Sequence, residues 1–244
     1  MSRITGILGV VAVLLTVPCV AQQKPYVVTT QDKKITGTKI TANSNGDIDL
    51  KTDRGVMSFD RGNYKRAYQP RPNQVKKLIE FFKNKEYDKV IKYAPQVREK
   101  YHFLGWGDMI AYVYGMALTR KGKPQEAVRA IERGEEVARK FGTRLKRAKA
   151  MAFQKQGKTE DALEILNELI EEGEQGAAAF AFNTKGQIKA DQGKKKEAVL
   201  EYLKTVLLFK PQDAKNNRRK AKKRAIQLLE EMGDPRVKKI RQLQ

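Results

Sequence analysis

The chain is nearly devoid of the residues that carry covalent or metal chemistry. Its 244 residues include one cysteine, Cys19, and one histidine, His102. Beyond the first few residues the only serines are Ser44 and Ser58. A disulfide framework is excluded, because a bridge needs two thiols. A zinc site built from Cys and His is excluded on the same count. A Ser-His-Asp arrangement would have to bring His102 to Ser44 or Ser58, and Ser44 lies in the turn sequence Asn43-Ser44-Asn45-Gly46. His102 reads instead as a partly exposed loop residue beside Phe103 and Trp106. Gly105-Trp106-Gly107 reads as a loop without the strand and helix spacing of a phosphate-binding turn. The carboxylate clusters Glu135-Glu136, Glu171-Glu172-Glu174 and Glu230-Glu231 read as solvated faces, and Glu160-Asp161 and Glu197 as first-turn residues that complement a helix dipole. An enzyme is therefore not expected, and neither a cofactor nor a metal is called for.

Basic residues are what the chain has in excess. Lys and Arg number 50 against 28 Asp and Glu, a formal net charge of +22. That imbalance suits anionic partners such as acidic proteins, acidic lipid, envelope polymers or nucleic acid. A hydrophobic share of 40% is enough to build a continuous core.

Residues 1–21 read as a signal peptide. Arg3 supplies a short positive region and Ile7 to Val17 an apolar run, which Pro18 ends; Cys19-Val20-Ala21 then places small residues for cleavage after Ala21. The run is short for a spanning helix, which needs about 20 apolar residues. Export to the periplasm or cell envelope is the expectation, with an uncleaved N-terminal membrane anchor as the alternative. Lipidation at Cys19 is disfavoured by the Val17-Pro18 pair before it.

Residues 22–71 change character. Val27 to Thr30, Ile35 to Ala42, Ile48 to Thr52 and Val56 to Phe59 read as four short strands, separated by Asn43-Ser44-Asn45-Gly46 and Asp53-Arg54-Gly55 turns. The expectation is a small antiparallel β module, either a meander or an SH3- or Sm-like barrel, followed by a stiff linker carrying Tyr64, Tyr68, Pro70 and Pro72.

Residues 72–244 are helical and repeat. Lys121-Gly122-Lys123-Pro124-Gln125-Glu126-Ala127 aligns with Gln156-Gly157-Lys158-Thr159-Glu160-Asp161-Ala162 and with Gln192-Gly193-Lys194-Lys195-Lys196-Glu197-Ala198. A degenerate copy runs Asn84 to Val90. The register positions Val90, Ala127, Ala162 and Ala198 are 37, 35 and 36 residues apart. Gly115, Ala150 and Gly186 stand twelve residues before their alanines, where two helices must approach closely. Gly122, Gly157 and Gly193 fall where a helix ends in a left-handed residue, and Pro124 and Thr159 start the next. Ile131, Leu166 and Tyr202 follow as core residues of the second helix. Lys210-Pro211 ends the fourth unit, and a partial unit around Met232-Gly233-Asp234-Pro235 closes the array.

On these residues the segment resembles the tetratricopeptide repeat family, whose period is about 34 residues. The resemblance implies a mainly α fold, a right-handed solenoid of about four helical hairpins with a C-terminal capping helix pair, in which first helices line a concave groove. Groove-facing positions would then be Met109, Tyr112 and Met116, then Arg144, Arg147 and Met151, then Asn183 and Gln187, and finally Lys220 and Lys223. Such a groove has an aromatic, apolar end and a basic end. It suits a scaffold that binds an acidic protein or peptide. The alternative is a basic module for acidic lipid, envelope polysaccharide or nucleic acid; export counts against the last. Two segments concentrate the charge, Thr143 to Lys149 and Lys215 to Arg224, and the second carries it all round its helix.

Overall fold

The computed structural model of the protein describes residues 23–138 and 140–243; the signal-like segment 1–21 lies outside the described residues. The β part has six strands rather than four: β1 (Tyr26–Thr29), β2 (Lys34–Thr36), β3 (Lys39–Ala42), β4 (Ile48–Thr52), β5 (Gly55–Phe59) and β6 (Tyr64–Tyr68). They form two antiparallel three-stranded sheets, ordered β2-β1-β6 and β3-β4-β5. Alternation sets the faces: Ile48 and Leu50 of β4 are fully buried, while Asp49 and Lys51 between and beside them are exposed.

Two expectations are corrected here. The run Ile35 to Ala42 is split into β2 and β3 at Gly37-Thr38, where the chain crosses between sheets. Gly37 is required there, since a Cβ would lie 2.7 Å from Leu50 Cδ1 and would overlap the Lys51 carbonyl. The supposed linker carrying Tyr64 and Tyr68 is strand β6, which returns to pair with β1 across Tyr26↔Tyr68 and Val27↔Ala67. A single meander is thereby ruled out.

The β core is completed from the helical side. Val27, Ile40, Ile48, Leu50, Tyr64 and Ala67 pack on Leu104, which sits in an irregular helical turn, His102–Trp106, with Gly105 at φ +82°. Trp106 is 8% exposed and donates its indole N–H to the Gln69 carbonyl at 2.9 Å. The segment expected to be a plain loop is therefore a wedge that fixes the β module to the helices.

Among the described residues ten α-helices follow: α1 (Asn73–Lys83), α2 (Tyr87–Tyr101), α3 (Gly107–Arg120), α4 (Pro124–Glu135), α5 (Gly142–Gln156), α6 (Thr159–Glu171), α7 (Gln175–Asp191), α8 (Lys195–Leu208), α9 (Pro211–Glu231) and α10 (Val237–Gln242). The molecule is thus mainly helical. Successive helices pack on one another, and each of α1, α3, α5 and α7 also contacts the next odd-numbered helix. No comparable contact joins the even-numbered helices among the described residues. The odd helices therefore form one close-packed layer, with the even ones behind it.

Small residues make that packing possible. Ala127, Ala150, Ala162 and Ala198 are fully buried. A Cβ on Gly115 would come within 2.5 Å of Ile131 Cγ1, and one on Gly186 within 2.8 Å of the Tyr202 ring. Gly122, Gly157 and Gly193 end α3, α5 and α7 at φ +74°, +77° and +75°.

The α1–α2 turn reaches the same conformation without glycine. Lys85 adopts φ +62°, with Lys85 N–H donating to the Phe82 carbonyl at 3.1 Å and Glu86 N–H to Phe81 at 2.9 Å. A side chain in this region costs about 1–2 kcal/mol, partly offset by the greater freedom of glycine in the unfolded chain. Lys85→Gly should therefore raise stability by about 0.5–1 kcal/mol, read as a higher urea midpoint at unchanged m-value. A lower midpoint would contradict this account.

Candidate binding groove

Helical periodicity brings the polar face of the odd-numbered helices together. Positions 151 and 154 of α5, 180, 183, 184 and 187 of α7, and 217, 220, 223, 224 and 227 of α9 recur at steps of three and four, so they share one side. With Arg120 at the end of α3 and Tyr202 of α8 beneath, they line a cleft of about 650 Å³. Five of the ten positions expected to face a groove are gathered in it: Met151, Asn183, Gln187, Lys220 and Lys223.

The floor is held by side-chain amides. Asn183 Nδ2 donates to the Asn217 carbonyl at 2.9 Å, and Asn217 Nδ2 donates to the Gly176 carbonyl at 3.2 Å. Asn183 Oδ1 is buried with no donor among the described residues. Gln187 Nε2 donates to Asp191 at 2.7 Å. Tyr202 is 2% exposed, and burial raises its hydroxyl above the ordinary tyrosine pKa, Arg224 opposing.

The walls are cationic. Arg120, Lys220, Lys223 and Arg224 line the cleft, and no Asp or Glu is among the lining residues. None of the four makes an ion pair among the described residues. An opening of about 670 Å³ between α6 and α8 on the other side contrasts with it. Its leucines are flanked by charges that neutralise each other, Lys189 with Glu197 at 2.9 Å and Lys204 with Glu201 at 2.8 Å.

The remaining five expected positions lie beyond the cleft. Arg147 is half-buried, with its guanidinium 4.4 Å from the Phe180 ring centroid; burial lowers its pKa from the ordinary value. Arg144 lies 4.8 Å over Phe141. Tyr112 packs between Phe82 and Phe141, with centroids 6.0 and 6.1 Å away, and Met109 packs on the α1–α3 core. Met116 is corrected: at 7% exposed it is sealed between α3, α4 and α5 with Ile131 and Leu145, and no partner can reach it. The aromatic end is thus mostly filled by its own side chains.

The two basic segments divide by helix face. In α5, Lys146 is bound to Glu168 and Glu172 at 2.8 and 2.6 Å, and Lys149 to Glu132 and Glu135 at 3.4 and 2.9 Å. These lysines tie α5 to its even-numbered neighbours. Arg144 and Arg147, on another face, hold no carboxylate among the described residues. In α9, Lys222 donates to the carbonyls of Arg241 and Leu243 and caps α10, whereas Lys220, Lys223 and Arg224 face the cleft. Arg120, Gln154, Phe180, Asn217 and Arg224 were not anticipated as groove residues. The signal was present, since Asn217 and Arg224 extend the Lys220 face by three and four residues.

His102 is partly exposed as expected but stands in the irregular helical turn rather than in a loop, with its Nδ1 lacking a hydrogen-bond partner among the described residues. Burial holds its pKa below the ordinary value, Glu136 opposing. It borders a polar recess of about 220 Å³ at the wedge, with Arg61, Lys65 and Glu136. No helix of the described residues is long and apolar enough to cross a membrane. No family model, curated protein or solved structure matches the chain.

Proposed function

We propose that the chain is a tetratricopeptide-type scaffold that binds an extended acidic segment of a partner protein along the odd-numbered helices, without catalysis. The observation that carries this is the cleft in which Arg120, Lys220, Lys223 and Arg224 converge with no lining carboxylate. The helical pairs, their left-handed glycine stops and the contacts within the odd layer support the repeat reading. Amides and cations around Phe180 and Tyr202 suit a peptide that offers carboxylates and some apolar surface. The reading of residues 1–21 as an export signal supports a place for this scaffold in the cell envelope or periplasm.

The test uses a labelled oligoglutamate peptide and the full chain. Lys220→Glu with Arg224→Glu should weaken binding by at least about tenfold, since like charges across an interface cost several kcal/mol. Binding should also weaken as salt is raised through the range where the Debye length falls below about 8 Å. Lys146→Glu breaks ion pairs on the opposite side and should leave affinity unchanged. Equal losses from Lys146→Glu and the α9 pair would reduce the effect to net charge and remove the cleft from the proposal.

A further inference from the structure

The β module carries a second cationic surface, remote in sequence from α9. Its clearest sign is a pairing that ordinary sheets avoid. Lys39 of β3 stands directly opposite Lys51 of β4, both exposed, and like charges so placed are destabilising. Lys51 is in turn opposite Val56 of the edge strand β5, which is 64% exposed. The adjoining end of the module is a recess of about 430 Å³. Lys24, Lys33, Lys34, Arg54 and Met57 line it, with Asp53 as its one carboxylate. Met57 is 41% exposed. None of the six cations Lys24, Lys33, Lys34, Lys39, Lys51 and Arg54 makes an ion pair among the described residues. The nearby Asp32 is engaged by Lys65 at 2.6 Å, and Asp49 accepts from Ser58 at 2.6 Å.

We infer that this end of the β module docks on the surface of a bilayer bearing acidic phospholipid headgroups. Three observations converge on that occupant. The cations come from three separate chain segments, so they form a broad patch without the single stripe that would follow a nucleic-acid backbone. The edge strand β5 sets one apolar side chain beside each group of cations, Val56 opposite Lys51 on one face and Met57 at the recess on the other. The chain also enters the folded part here: the apolar run Ile7–Val17 lies a few residues before Lys24. Where residues 1–21 are retained as the uncleaved anchor, Lys24 is the first basic residue to follow that run. The role is separate from the α9 cleft, which remains free to hold a peptide.

The experiment is flotation of the full chain with phosphatidylcholine vesicles, with and without phosphatidylglycerol. Each cation near an acidic surface contributes about fivefold in binding, as converted from roughly 1 kcal/mol. Lys33→Glu, Lys34→Glu and Arg54→Glu together should therefore reduce binding to the phosphatidylglycerol vesicles by about a hundredfold. Val56→Ser with Met57→Ser should reduce it further, while Lys220→Glu with Arg224→Glu should leave it intact. Amide exchange on the vesicles should slow around residues 33–38 and 52–57 and stay unchanged in α9. Equal binding to both vesicle types would assign the attachment to the apolar run alone and overturn the inference. Loss of binding only in the α9 variant, or duplex DNA bound at this patch in preference to vesicles, would overturn it as well.

Discussion

Gly134→Ala should destabilise the protein by about 2 kcal/mol, although alanine is the better helix former by about 1 kcal/mol. Gly134 is buried within α4, and a Cβ there would overlap the Cβ of Ala111 on α3. A β-carbon cannot swing away as the end of a long side chain can. The Gly107 carbonyl and Leu145 Cδ1, both 3.6 Å from the added carbon, block retreat in other directions. The two helices must therefore separate, which is the usual cost of overpacking. Ala111→Gly in the same molecule removes the obstructing carbon and should recover much of the loss. The double-mutant cycle separates this contact from propensity effects. Strict additivity of the two substitutions, measured by urea denaturation, would show that the Gly134–Ala111 contact is not the cause.

Leu166→Ala should cost about 3–4 kcal/mol, within the range for a fully buried leucine. Leu166 is 0% exposed in a cluster with Ala150 of α5, Leu169 of α6, and Ala177 and Ala181 of α7. Most of these neighbours are alanines whose side chains cannot extend into a void, so relaxation is limited and the cost falls in the upper part of the range. α5 and α7 also line the cleft. The same substitution should therefore weaken oligoglutamate binding, while leaving the β module's exchange protection intact. A stability loss below about 1 kcal/mol would mean the α5–α7 packing collapses to fill the space.

The helical half was legible because its requirements are local and recur. A left-handed stop, a small crossing residue and a large core residue fall at fixed offsets, and Gly157, Ala162 and Leu166 meet all three. Strand β6 was not legible for the opposite reason. Its buried residues are Tyr64 and Ala67, three apart, because the pairing with β1 shifts register between Val28 and Thr29. The period-two signal that identified β4 is therefore absent. Lys85 was hidden because a residue other than glycine does a glycine's job. For the groove, helix counting placed Asn183, Gln187, Lys220 and Lys223 on one side. It overextended to Met116, whose burial depends on Ile131 and Leu145 from other helices. Sequence proximity also grouped Arg147 with Lys146 and Lys149, whose carboxylate partners lie on α4 and α6. Counting along α5 already sets Arg144, Arg147 and Met151 on a face that excludes 146 and 149, and the carboxylate partners of Lys146 and Lys149 agree with that division.

The pairing of β1 with β6 sets an order of events as the chain is made. Nearly every helix packs on the one just synthesised, so the helical half can form progressively by local contacts. β1 cannot do so. Val27 and Val28 emerge early, while Ala67 and Arg66, their partners across the sheet, follow roughly 40 residues later. At about 5–20 residues per second that is a wait of roughly 2–8 s. Closure of the module also waits for Leu104, further along, which fills its core. For that interval an apolar strand stands with one edge unsatisfied, and a holdase that shields it would raise the yield of folded chain without touching the repeats.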